Sequence, residues 1–99
     1  MREFLIGFNK AFESKARLGI MSVLIVNETL SFNSLKELLD LTDGNLATHL
    51  RALEEQGYVL VKKQFVGRKP NTTYTATPEG RQAFTDHLNA LEDFIRNSA

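Results

Sequence analysis

Residues 42–80, TDGNLATHLRALEEQGYVLVKKQFVGRKPNTTYTATPEG, leave few folds open. Thr42 is placed as a helix N-cap. Leu46, Leu50 and Leu53 follow at i, i+4 and i+7, an apolar stripe along a helix over about 43–56. Gly57 stops that helix. Tyr58–Val66 alternates as a strand, GRKPN turns the chain, and TTYTAT returns as a second strand. Pro78 suits the first position of a further helix with Thr77 as its cap. A helix that runs into a hairpin and out into another helix is mainly α, with a small antiparallel sheet.

The upstream sequence supplies the partner for the 43–56 helix. Ser14 is placed to cap a helix ending near Asn27–Glu28, broadly apolar through Ala16, Leu18, Ile20, Met21, Leu24 and Ile25. Gly19 inside it costs roughly 1 kcal/mol of helix propensity against alanine, which a close helix–helix approach would rationalise. Leu30-Ser31-Phe32 is a short extended piece able to add a third strand. Asn33 or Ser34 caps a short helix whose Leu35, Leu38 and Leu39 face the core, Glu37 completing a capping box with Ser34. Asp40-Leu41 turns the chain, giving two short helices joined by a tight turn, a helix-turn-helix. Small Ala47 is expected to pack against the first of the two.

The ends carry apolar stripes. Phe4, Phe8 and Phe12 recur at helical spacing in the first residues, and Phe84, Leu88, Leu91 and Ile95 recur in a last helix from about Pro78 to about Asn97, with Phe94 beside them. These seven stripe residues are assigned to a dimer interface, the amino-terminal rings having docking on the last helix as their other use. The resulting division is one winged-helix unit over 1–99: an arm at 1–13, a core at 14–77 and a long dimerisation helix at 78–99.

Charge narrows the partner. The net formal charge is +0, so its distribution carries the information. From Asn45 to Thr77 the cations Arg51, Lys62, Lys63, Arg68 and Lys69 face only Glu54 and Glu55. From Pro78 onward Glu79, Asp86, Glu92 and Asp93 outnumber Arg81 and Arg96. The basic edge suits a polyanion, although cations at a hairpin also guard an edge strand. The chain has no cysteine, which excludes disulfides and thiolate metal sites, and only two histidines, His49 and His87. No metal site and no cofactor are expected. There is no leader pattern and no apolar run of membrane-spanning length, so the expectation is a cytoplasmic protein without a membrane partner.

If Leu46, Leu50 and Leu53 point inward, then Asn45, Thr48, His49 and Ala52 point largely outward. Asparagine can pair with adenine N6/N7, and a threonine methyl can meet the thymine methyl. His49 can bind a phosphate or a base acceptor, and Arg51 is placed for a phosphate. Thr42 and Gly44 stand in the first turn, where free N–H groups attract anions and a missing side chain permits close backbone approach. Asp43 favours the helix dipole but repels phosphate, and is taken as structural. In the hairpin, Arg68 is the candidate for minor-groove insertion, and Lys62, Lys63 and Lys69 are candidates for phosphate neutralisation. The expected partner is double-stranded DNA, with the helix in the major groove and the wing (about 65–72) at the minor groove.

The strings LTDGNLATHLRALEEQGYV and FVGRKPNTTYTATPEGRQAF, with the pattern GR-x-P-x-T-x-Y-x-x-T-x-x-G, resemble the small stand-alone winged-helix transcriptional regulators related to the MarR and ArsR groups. The resemblance spans roughly residues 12–95. It implies a homodimer joined through the terminal helices, with recognition helices in successive major grooves and wings over the flanking minor grooves. Metal-sensing ArsR-type proteins use cysteines or His/acid clusters, and this chain has no cysteine, so metal sensing is not implied. MarR proteins are typically longer and hold an aromatic ligand pocket, and little chain remains for one here, so a small-molecule or protein effector stays open.

Catalysis is not expected. Ser14, His87 and Asp86 form a triad only on paper, and no phosphate loop or nucleophile motif appears. The stronger rival to DNA binding is a winged helix used for protein contact, favoured by the zero net charge and by Asp43.

Overall fold

The structure, a computed structural model, describes residues 8–98. A single 3-10 turn, Lys10–Phe12, leads into α1 (Lys15–Val26), β1 (Leu30–Ser31), α2 (Phe32–Leu39), α3 (Asp43–Glu55), β2 (Val59–Val66), β3 (Lys69–Ala76) and α4 (Pro78–Ser98). Phe4 lies outside the described residues.

Caps set most of these boundaries. The Ser14 hydroxyl accepts from the Arg17 N–H to start α1, and the Thr42 hydroxyl accepts from the Asn45 N–H to start α3. At α2 the cap is Ser31, not Asn33 or Ser34. Its hydroxyl accepts from the Ser34 N–H at 3.1 Å, so the helix begins as soon as β1 ends. Asp40 ends α2 at φ 52, a left-handed conformation that aspartate tolerates better than most residues. Gly57 does the same after α3 at φ 78.

The sheet is antiparallel in the order β1-β3-β2. Its hairpin is tighter than GRKPN suggests. Val66 pairs with Lys69, so Gly67-Arg68 alone makes the turn, and Pro70 lies inside β3 opposite Phe65. Gly67 has φ 65 and Arg68 does not have positive φ, the pattern of a type II′ turn with glycine first. The proline is tolerated because β1 reaches only as far as Thr73. Beyond that residue β3 is an edge.

The helices cover one face of the sheet. Ile20, Met21 and Leu24 of α1, Leu35 of α2, and Leu46, Leu50 and Leu53 of α3 are fully buried; Val59, Ala76, Phe84 and Phe12 close the core. Each fully buried leucine contributes roughly 1.5–3 kcal/mol of hydrophobic stabilisation. Gly19 sits where a Cβ would come within 3.2 Å of the Leu39 side chain, the close α1–α2 approach its presence suggested. Two expectations fail on helix faces. Leu38 is exposed, because the 8-residue α2 turns only Leu35 and Leu39 inward. Ala47 is exposed too, since the buried stripe of α3 is carried by the leucines.

Phe12 and Phe84 are also corrected. Phe12 is 2% and Phe84 6% exposed, and their rings meet edge to face at 5.5 Å. Phe12 further stacks on Tyr58 at 5.7 Å and meets His87 at 5.5 Å. Two side chains so occupied inside their own chain leave little surface for a second copy. Phe8 docks on the last helix, against His87 at 5.6 Å and Phe94 at 6.2 Å.

Candidate nucleic-acid interface

Burying Leu46, Leu50 and Leu53 fixes the rotation of α3. Asp43, Gly44, Asn45, Ala47, Thr48 and Arg51 are consequently exposed. Thr42 is exposed as well, its hydroxyl holding the Asn45 N–H at 3.2 Å. Around Gly44 no atom comes within 4 Å of where a Cβ would stand, so the first turn is open to a large ligand.

His49 and Ala52 depart from the outward set. Both are half-buried, since α3 lies against α1 on that flank. The His49 ring is engaged from inside the chain: its Nδ1 stands 3.2 Å from Nη1 of Arg17. Arg17 lies 32 positions away in sequence, so no periodicity could have linked the two.

Asp43 is paired with Lys36 of α2 at 2.8 Å. With 42% and 72% side-chain exposure the pair is a solvent-screened contact. It adds little stability. Its effect is electrostatic: the one carboxylate in the first turn of α3 is matched by a cation from the preceding helix.

The wing arranges its cations by strand alternation. Val59, Val61, Lys63 and Phe65 lie on the face that carries the core, opposite Ala76, Tyr74, Thr72 and Pro70. Leu60, Lys62, Gln64 and Val66 lie on the other face with Thr75, Thr73, Asn71 and Lys69. Lys62 and Lys69 thus share one side, Lys63 takes the opposite side, and Arg68 occupies the turn. Among the described residues, Arg51, Lys62, Lys63, Arg68 and Lys69 form no ion pair, so their charge is available to a partner. Phe65 and Val66 are 73% and 62% exposed beside them, an apolar addition to the tip that charge alone does not reveal.

Tyr74 anchors the root of the wing, opposite Val61 on one side and Leu30 of β1 on the other. Burial, with a smaller contribution from the Glu54 carboxylate, pushes its hydroxyl above the usual tyrosine range. Among the described residues no group of three or more His, Asp or Glu side chains could hold a metal ion, and no helix is long and apolar enough to cross a membrane.

The remaining surface belongs to α4. Leu88, Leu91 and Ile95 are 43%, 42% and 61% exposed, continuing outward the stripe that starts at buried Phe84. Beside Leu88 a groove of about 950 Å³ opens between α1, the α2–α3 turn and α4, lined by Leu18, Gly19, Leu39, Leu41 and Phe84.

A three-helix core with a helix-turn-helix, a three-stranded sheet drawn out into a basic hairpin, and a long closing helix define a winged helix. Residues 16–95 match the family of winged helix DNA-binding domains, and the chain belongs to it. It is 40% identical over 88 residues to an uncharacterized protein of Methanocaldococcus jannaschii, covering 89% of this chain and 96% of that one. Among solved structures, a transcriptional regulator homologue from Pyrococcus horikoshii OT3 superposes with a TM-score of 0.85 at 30% identity, over 97% of this chain and 93% of that one. A MarR-family protein from Enterococcus faecalis V583 superposes with a TM-score of 0.71 at 29% identity, over 98% and 86%. The protein is a small winged-helix protein, similar in structure to that MarR-family protein.

Proposed function

We propose that this protein is a transcriptional regulator that binds a short inverted repeat in double-stranded DNA as a homodimer. α3 enters the major groove and the wing meets the minor groove. The observation that carries this reading is the outer face of α3. Asn45, Thr48 and Arg51 are exposed together above a fully buried leucine stripe, next to a first turn left open by Gly44. Asparagine and threonine at such a face read base edges, and arginine there reaches phosphate. Arg68 at the tip of a two-residue turn suits a narrow groove.

Asp43 is the residue that most favours a protein partner, and its pairing with Lys36 weakens that reading. Dimerisation is supported by Leu88, Leu91 and Ile95, an exposed apolar stripe on a 21-residue helix, and by the adjoining groove, into which a second copy's apolar side chains can seat. In this scheme 14–77 form the DNA-reading core and 78–99 the dimerisation helix, working in the cytoplasm without catalysis or cofactor.

Selection on random duplex DNA at two salt concentrations tests the proposal. An enriched palindrome, bound less tightly as salt rises, supports it. Within that palindrome Asn45→Ala should lose roughly 1–3 kcal/mol of discrimination at one base pair. Arg68→Ala should relax preference at the outer A·T positions. No enrichment at either salt would hand the surface to a protein partner.

A further inference from the structure

Arg17 lies on α1, outside the helix-turn-helix, and its guanidinium is engaged at both ends. Nε–H donates to the Ala11 carbonyl oxygen at 2.6 Å, and Nη1 meets Nδ1 of His49 at 3.2 Å. A guanidinium has donors only. Nδ1 of His49 is therefore the acceptor, and the neutral ring must carry its proton on Nε2. The Ala11 end is itself tied down. The Ala11 N–H donates to Asn9 Oδ1 at 2.9 Å, Asn9 Nδ2 donates to the Tyr58 hydroxyl at 2.9 Å, and the Asn9 N–H donates to His87 Nδ1 at 3.0 Å. The fork that holds His49 is thus braced by the amino-terminal turn, the residue leading into β2, and α4.

We infer that Arg17 is a positioning residue for DNA reading: it fixes His49 in the Nε2–H tautomer, so that the neutral ring presents a donor and no acceptor to nucleic acid. His49 is four residues after Asn45 and therefore lies beside it on α3. A lone donor there matches an acceptor edge such as guanine N7 or O6 or thymine O4, and disfavours the amino group of cytosine. Without Arg17 the ring would be free to take either tautomer, and that preference would blur. The DNA part of the inference rests on α3 being the reading helix; the tautomer does not.

The two parts separate experimentally. Long-range proton–nitrogen spectra of the imidazoles, recorded on the full chain without DNA at alkaline pH, report the tautomer directly. His49 should show the Nε2–H pattern in the native protein and move towards a mixture in Arg17→Ala. His87, whose Nδ1 also accepts a hydrogen bond, is the internal reference and should not change. An Nδ1–H pattern for native His49, measured without any substitution, overturns the inference. So does an unaltered His49 in Arg17→Ala. In DNA selection, Arg17→Ala should lower preference about tenfold at a single base pair, within the range of one directional base contact, and leave the wing's positions unchanged. Arg17→Lys, which keeps the charge but not the fork, should lose the same preference and guards against a folding defect in the alanine variant. A shifted tautomer with every base preference intact would overturn the DNA-reading role, whereas failure of DNA binding itself would show as no enriched sequence with the native protein.

Discussion

The first turn of α4 lies against the backbone of Tyr58 so closely that a Cβ on Gly80 would run into the Tyr58 carbonyl oxygen. That carbonyl also accepts from the Thr77 N–H at 3.0 Å, and the Thr77 hydroxyl spans from the Gly57 carbonyl at 2.6 Å to the Gly80 N–H at 2.9 Å. The end of α3, the start of β2 and the start of α4 are therefore knotted at one point. Gly80→Ala should cost about 1–3 kcal/mol by forcing backbone apart, seen as a lower urea midpoint. Gly44→Ala makes the contrast. With open space around it, it should gain up to about 1 kcal/mol from helix propensity, while its methyl group weakens DNA binding. Equal stability changes of one sign in the two variants would refute the difference in packing.

Lys62 and Lys63 are neighbours in sequence on opposite faces of the hairpin. Only one face of a rigid wing can lie along a DNA strand. A lysine that neutralises one phosphate adds about 0.9 to the steepness of log affinity against log salt. Lys62→Ala and Lys69→Ala, sharing a face, should change that slope alike, and Lys63→Ala should differ from both. Three identical slopes would mean that the wing approaches edge-on.

Asp43→Asn should raise affinity for DNA, by removing a carboxylate from the first turn of α3 and releasing Lys36 for a phosphate. Because the pair is exposed, folding stability should fall by under about 1 kcal/mol. Titration of labelled duplex with both proteins checks the first point, and a drop in affinity would show that Asp43 itself contacts a base.

Leu91 and Ile95 are the dimer test, since Phe84 is occupied in the core. Leu91→Asp with Ile95→Asp should halve the sedimenting mass and leave the fold intact. An unchanged mass would place the contact elsewhere.

Tyr74 gives a pH dependence with a definite sign. Its folded-state pKa is raised, chiefly by burial. The associated stability is fully present below the unfolded tyrosine value, about 10, and is lost as pH rises through the folded value. Tyr74→Phe should flatten that alkaline decline in the urea midpoint; an identical decline in the variant would assign it to another group.

The helix-turn-helix and hairpin were legible because their signals are local: leucines at i, i+4 and i+7, a cap before them and a glycine after. Where sequence and structure part, the deciding contact is distant. Ser31, Asn33 and Ser34 are all capable caps, and the choice fell to the residue where β1 meets β3 through Ser31 and Thr73. The stripe from Phe84 to Ile95 is continuous in sequence. How far along α4 its own core reaches depends on Phe12, far away in the chain, so a sequence period could not divide buried from exposed. Arg17 and His49 meet only because α1 and α3 cross.

α4 begins wedged against Tyr58 and runs without a break to an exposed apolar end. It behaves as a strut with one end set in masonry. A strut without a joint transmits orientation: if a second copy grips Ile95 as proposed, that grip would also aim Asn45. The separation between two such reading heads would then be a ruler cut in the length of Pro78–Ile95, and lengthening that rod by a turn would change which spacing is measured before it changed which bases are read.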